Sequence, residues 1–148
     1  MTTTNAQAQR RGKTQTVLGL VDPATLGPTL MHEHILCDIT PPTLAASCDC
    51  GPEITLQNVW KMNYGSLPSK RKYELNRIEV AIKEIDEMIN AGGSSIVELT
   101  CGGLKPNPEG LVDVARATGA QIVMGCGHYV EDYQDPANRG RSIDSFAQ

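Results

Sequence analysis

Three histidines occur in the 148 residues, and two of them, His32 and His34, are separated by one residue within Thr29-Leu30-Met31-His32-Glu33-His34-Ile35-Leu36. That run, entered through the turn residues Gly27-Pro28, reads as a strand. Alternate side chains of a strand share a face, so both imidazoles converge on one side while Glu33 turns to the other. Two neutral imidazole nitrogens at the end of a strand suit a divalent metal such as zinc. A hydrogen-bonded histidine pair on a surface or in a core has the same spacing, so the spacing alone leaves both readings open. The helical metalloprotease pattern HExxH is absent, because Leu36 stands three residues after Glu33.

Four other places carry polar chemistry. Glu98, on a predicted strand Ser95 to Thr100, shares a face with Ile96 and Thr100; a carboxylate among β-branched neighbours in a barrel interior is either hydrogen-bonded structure or a support for the ligands of a site. Asp38, four residues past His34, either orients a histidine or caps the loop. His128 reads first as a polar loop residue, with tuning of a pocket or stray metal ligation as the alternatives. Gly125-Cys126-Gly127 begins like a dinucleotide fingerprint, but Val130 occupies the position that needs Gly or Ala, which argues against a nucleotide site. Five cysteines form an odd set without a framework spacing, and Cys48-Asp49-Cys50 lacks both the CxxC spacing and a second pair, so all five read as free thiols.

The elements that must position these residues follow from periodicity and punctuation. Residues 1–13 are too polar to bury apolar surface and read as a disordered tail. Thr16 to Leu20 reads as a short strand that makes a hairpin or strand pair with Thr29 to Leu36. A long irregular loop follows to Pro68, with Leu56 to Tyr64 able to make one or two helical turns. Between Lys70 and Ala91, Leu75, Ile78, Ile82, Ile85, Met88 and Ile89 recur at three- and four-residue steps, the pattern of an amphipathic helix, which Gly92-Gly93 ends. Asn107 and Pro108 mark the N-cap and first position of a second helix, closed by Thr118-Gly119. Ala120 to Gly125 is a further strand, and Ser142 caps a helix that is only beginning at Gln148. Alternating strands and helices predict an α/β fold with a parallel sheet. Three such strands do not close a barrel, which takes about 250 residues, so the expectation is the first three strands of a truncated (β/α)8 TIM barrel in residues 14–148.

Composition excludes several function classes. The chain is 40% hydrophobic and 20% charged, which suits a folded domain and not a disordered or fibrous one. Thirteen Lys and Arg against seventeen Asp and Glu give a net charge of −4, without the basic footprint of a nucleic-acid binder. No apolar run is long enough for a membrane span or signal peptide, so the expected compartment is the cytoplasm.

The run from Gly12 to His34, ending Leu26-Gly27-Pro28-Thr29-Leu30-Met31-His32-Glu33-His34, resembles the amino-terminal signature of the phosphotriesterase family of the amidohydrolase superfamily. The likeness continues through the helix ending Asn90-Ala91-Gly92-Gly93, the strand Ser95 to Thr100, and Ala117 to Val130. The resemblance implies a (β/α)8 barrel with two zinc ions, or other divalent metals, at the carboxyl ends of its strands. Such a site activates water against a phosphoester, ester, lactone or amide. It assigns His32 and His34 as ligands of the more buried metal, Tyr129 as a wall against substrate, and leaves Glu98 as a candidate support behind the ligands. Relatives take a bridging carboxylate or carbamylated lysine from the fourth strand, histidines from the fifth and sixth and an aspartate from the eighth, and none of those strands is present. The 148 residues alone are therefore expected to bind zinc weakly and to be inactive. A TatD-like nuclease shares the HxH but fits the flanking run and acidic balance less well. The expected partners are a small-molecule substrate and, for a complete protein, a second copy, with neither nucleic acid nor membrane. The alternative is a non-catalytic truncated isoform or pseudoenzyme that works through protein association.

Overall fold

Local sequence signals account for most element boundaries in the computed structural model, which describes residues 5–45, 51–67 and 69–146. In chain order these are Asn5–Arg10 (α1), Thr14–Thr16 (β1), Gly19–Val21 (β2), Thr29–Glu33 (β3), Cys37–Asp38 (β4), Pro42–Ala45 (α2) and Val59–Asn63 (α3). They continue with Glu74–Leu75 (β5), Ile78–Asn90 (α4), Ser95–Glu98 (β6), Pro108–Thr118 (α5), Gln121–Met124 (β7) and Ile143–Phe146 (α6). The Asn107 side chain accepts from the Gly110 N–H at 2.9 Å, Pro108 takes the first helical position, and Gly119 at φ 75° closes α5 in the left-handed conformation.

Strands β3, β6 and β7 form one parallel sheet with β6 in the centre, reached through the connections that carry α4 and α5. This is the α/β class with a parallel sheet that the alternation predicts. Ile96 and Ile122 lie in register on β6 and β7, and both are buried against Ala81 and Ile85 of α4 and Leu111, Val114 and Ala115 of α5. Those side chains form the core on the helix-covered face. The bend Ile35–Leu36, just past β3, closes one end of it.

Several boundaries differ from the sequence expectation. The hairpin forms within residues 14–21, β1 against β2, and β3 joins the parallel sheet instead; Gly19 at φ 131° supplies the backbone that the tight reversal needs. The hairpin docks on β7 through the Val17 N–H, which donates to the Ile122 carbonyl at 2.8 Å. α4 starts at Ile78, not near Lys70: Lys70–Tyr73 is a single 3-10 turn and Leu75 sits in β5, paired with Cys37 and 52% exposed. Leu75 matched the helical period by coincidence, and pairing with β4 decides its conformation. Within the segment expected to be a disordered tail, Asn5–Arg10 is helical, as Ala, Gln and Arg favour, with Arg10 in the last turn. Cys48 and Cys50 lie outside the described residues; Cys37, Cys101 and Cys126 are free thiols. Among the described residues no helix is long and apolar enough to cross a membrane.

Candidate metal centre

The register of β3 on β6 determines where the histidines point. Leu30 pairs with Ile96 and Glu33 with Glu98, so three steps along β3 match two along β6. The extra residue is a β-bulge, and a one-residue slip exchanges the faces of everything beyond it. Leu30 and Glu33 therefore both lie on the helix-covered face and line the groove against α4, which His34 and Ile35, just past the strand, also line. His32, between Leu30 and Glu33, is turned to the open face, and His34 follows one residue past the strand end. Glu33 thus lies opposite His32, as strict alternation has it, while the register shift puts Leu30 on the side of Glu33. The two ring centroids are 6.2 Å apart with their planes at 70°, edge to face, and both residues are exposed.

The two histidines differ in what holds them. His34 Nδ1 lies 3.0 Å from Thr100 Oγ1. The His32 side chain makes no hydrogen bond among the described residues. Behind Thr100 is Glu98, 0% exposed, which accepts from the Ile35 N–H at 3.3 Å, from the Thr100 N–H at 3.0 Å and from the Thr100 hydroxyl. Glu98, Ile96 and Thr100 do share a face, as their spacing predicts. That face is the helix-covered one, not the barrel interior expected from sequence: Ile96 is packed in the core against α4 and α5, and Ile35 folds over the carboxylate. Thr100 is the residue that sequence reasoning passed over, although its two-residue spacing from Glu98 was the available signal.

Asp38 is a loop cap. It accepts from the Thr40 N–H at 2.8 Å and pairs with Lys105, and its own N–H donates to the Leu104 carbonyl at 3.0 Å. Burial opposes its ionisation, but hydrogen bonds from Lys105 and Thr40 outweigh that and hold its carboxyl below the usual carboxylate range. Tyr129 is 43% exposed and meets Tyr133 edge to face at 5.4 Å, while its N–H donates to the Gly102 carbonyl at 2.9 Å. It lines a cleft of about 540 Å³ with His128, Asp132, Asn138 and Phe146, a cleft that does not include His32 or His34. His128, exposed, lies edge-on to Phe146 at 5.2 Å. The structure thus brings together His32, His34, Thr100 and Glu98, and leaves Tyr129 and His128 in a separate cleft.

The donor set of the pair suits zinc: two exposed imidazoles, one of them oriented by a hydroxyl that a buried carboxylate holds. It supplies two nitrogens of a usual four ligands. Among the described residues no group of three His, Cys, Asp or Glu side chains is placed to hold a metal ion.

Comparison with known proteins gives these features a context. The family model described as the phosphotriesterase family matches residues 12–148. A phosphotriesterase-related protein of Drosophila erecta is 34% identical over 140 residues, covering 90% of this chain and 40% of that protein. An N-acetyltaurine hydrolase of Bos taurus is 35% identical over 142 residues, covering 91% and 40%. Among solved structures, a resiniferatoxin-binding protein from Rhodobacter sphaeroides superposes with a TM-score of 0.77 at 29% identity, over 92% of this chain and 39% of that one. The chain thus spans about 40% of the length of the curated relatives it matches, and its three parallel strands have the α/β arrangement of the amino-terminal part of their barrel. With the match running from the hairpin through the histidine strand to residue 148, the chain belongs to the phosphotriesterase family.

Proposed function

We propose that this chain provides the first metal-ligating strand of a zinc-dependent hydrolase that cleaves phosphoester, ester, lactone or amide bonds. The observation that carries the reading is the closeness of two exposed imidazoles, His32 and His34, with ring centroids 6.2 Å apart and His34 held by Thr100. His32 and His34 would hold the ion. When bound, zinc polarises the oxygen of the scissile bond and lowers the pKa of water to near neutrality. Thr100 keeps the His34 ring in place, and the buried carboxylate of Glu98 fixes Thr100. Tyr129, on the rim after β7, offers an aromatic wall to an apolar leaving group or acyl chain. The family match and a relative named for hydrolysing N-acetyltaurine support the hydrolase class. Further ligands come from strands beyond these three, so catalysis belongs to a completed barrel. Two ions per site, a cytoplasmic location and pairing of complete copies are parts of the same proposal.

The test begins with the intact mass of the natural gene product. It continues with a substrate panel of a phosphotriester, an aryl ester, a lactone and an N-acyl amide, assayed before and after chelation. The expected result is a mass well above 16.0 kDa, hydrolysis of at least one substrate, loss on chelation and recovery with zinc, with His32→Ala and His34→Ala inactive. Activity that survives both substitutions overturns the assignment. A natural mass equal to that of these 148 residues, with self-association in place of turnover, would establish the non-catalytic alternative. The open edge of β3 and the apolar groove beside it, lined by Leu30, Val80, Ile85 and Met88, would then be the associating surface.

A further inference from the structure

We infer that Glu98 and Thr100 form a relay that sets the tautomer of His34, placing its ring proton on Nδ1 and leaving the Nε2 lone pair bare as the ligand nitrogen. The argument is one of proton counting. Each oxygen of the Glu98 carboxylate faces backbone or side-chain donors: the Ile35 N–H and the Thr100 hydroxyl on Oε1, the Thr100 N–H on Oε2. A threonine hydroxyl has one proton and two lone pairs. With its proton directed to Glu98, Thr100 Oγ1 can meet His34 Nδ1, 3.0 Å away, only as an acceptor. Nδ1 must then carry the hydrogen, and in a neutral imidazole the lone pair falls to Nε2.

The converse arrangement, Thr100 donating to a bare Nδ1, would aim hydroxyl lone pairs at a carboxylate oxygen where Glu98 is 0% and Thr100 1% exposed. No water reaches that place to relieve the repulsion, and buried polar atoms left without a complementary partner are costly. His32 has no such partner among the described residues, so the pair is asymmetric: His34 is prepared for one mode of ligation, and His32 adapts to the ion. Thr100 and Glu98 are positioning residues that act through His34.

The purpose of the relay rests on the proposed metal-binding reading, but the tautomer itself does not, and the test separates them. Long-range 1H–15N correlation spectra of the metal-free 148-residue chain, recorded well above the ordinary imidazole pKa of about 6.5, report which ring nitrogen of each histidine is protonated. The expected spectrum shows His34 protonated at Nδ1 and His32 averaging between tautomers. In Thr100→Val, which keeps the volume and removes the hydroxyl, His34 should average like His32, and zinc affinity by titration should fall about 10–100-fold. Thr100→Ser keeps both properties of the wild type. A His34 ring protonated at Nε2 in the wild type, or unchanged in a folded Thr100→Val, overturns the relay; if that variant does not fold, the wild-type spectrum decides. An Nδ1-protonated His34 in a chain that takes up no zinc upholds the relay and removes the metal reading. Zinc uptake with an Nε2-protonated His34 does the reverse.

Discussion

Replacing Gly110 with alanine sets two effects of opposite sign against each other at a position that supports the histidine loop. Residue 110 is in the first turn of α5 with helical backbone, where alanine is favoured over glycine by about 0.8–1.0 kcal/mol. A Cβ built there, however, comes 2.6 Å from Asn107 Nδ2 and 2.7 Å from Leu36 Cδ1, both well inside ordinary contact. Neither neighbour can yield freely. Leu36 is 2% exposed within the core, and Asn107 is held by the N-cap bond it accepts from residue 110 itself. Overpacking a core costs about 1–3 kcal/mol, and loss of an N-cap about 1 kcal/mol more. After the propensity gain the net loss is about 1–3 kcal/mol, which at this size lowers Tm by roughly 2–12 °C. Thermal unfolding followed by circular dichroism measures it, with Gly140→Ala as control, since a Cβ at Gly140 meets nothing within 4 Å. A Gly110→Ala variant as stable as the wild type, or more so, would show that the α5 turn does not brace Leu36 and the bend after His34.

Three shorter predictions follow from other parts of the molecule. The folded carboxyl of Asp38 lies below its unfolded value, so its stabilisation is present above the ordinary carboxylate pKa of about 3.9 and is lost as pH falls through the folded value. Denaturant midpoints of the wild type and Asp38→Asn should therefore keep a constant gap down to about pH 5 and converge only below the unfolded value of about 3.9, from a neutral-pH gap on the order of 1 kcal/mol or less because Lys105 is largely exposed; parallel curves would contradict this. Burial raises the Cys37 thiol pKa, and the nearby charges of Glu98 and Asp38 add to it, so iodoacetamide should label exposed Cys126 first and reach Cys37 only on unfolding, as peptide mass spectrometry would reveal. Tyr129→Ala should leave zinc uptake unaltered while changing the substrate preference of the complete enzyme. Loss of metal in that variant would contradict the separation of its cleft from the histidines.

The parts of the fold legible in the sequence are those encoded by short-range chemistry. Asn107, Pro108 and Gly119 fix α5 through capping and backbone preference alone, and the spacing from Ile78 to Ile89 fixes the apolar face of α4. The features that escaped depend on partners distant in sequence. Leu75 continues the helical period but is claimed by Cys37, so α4 begins later than its pattern suggests. The bulge in β3 exists only against β6, and no property of the run Leu30 to Glu33 announces it. His32 and His34 were legible as a convergent pair, whereas the support behind them was not, because Thr100 becomes informative only when β3 is laid beside β6 and His34 Nδ1 meets its hydroxyl.

The central claim is that His32 and His34 together present a metal site, and calorimetric titration of the chelator-treated chain with zinc tests it most directly. The wild type should take up a single ion weakly, in keeping with two protein ligands and water for the rest. His32→Ala and His34→Ala should each abolish uptake while leaving the circular dichroism spectrum unchanged. Zinc binding of undiminished affinity in the doubly substituted chain would contradict the claim.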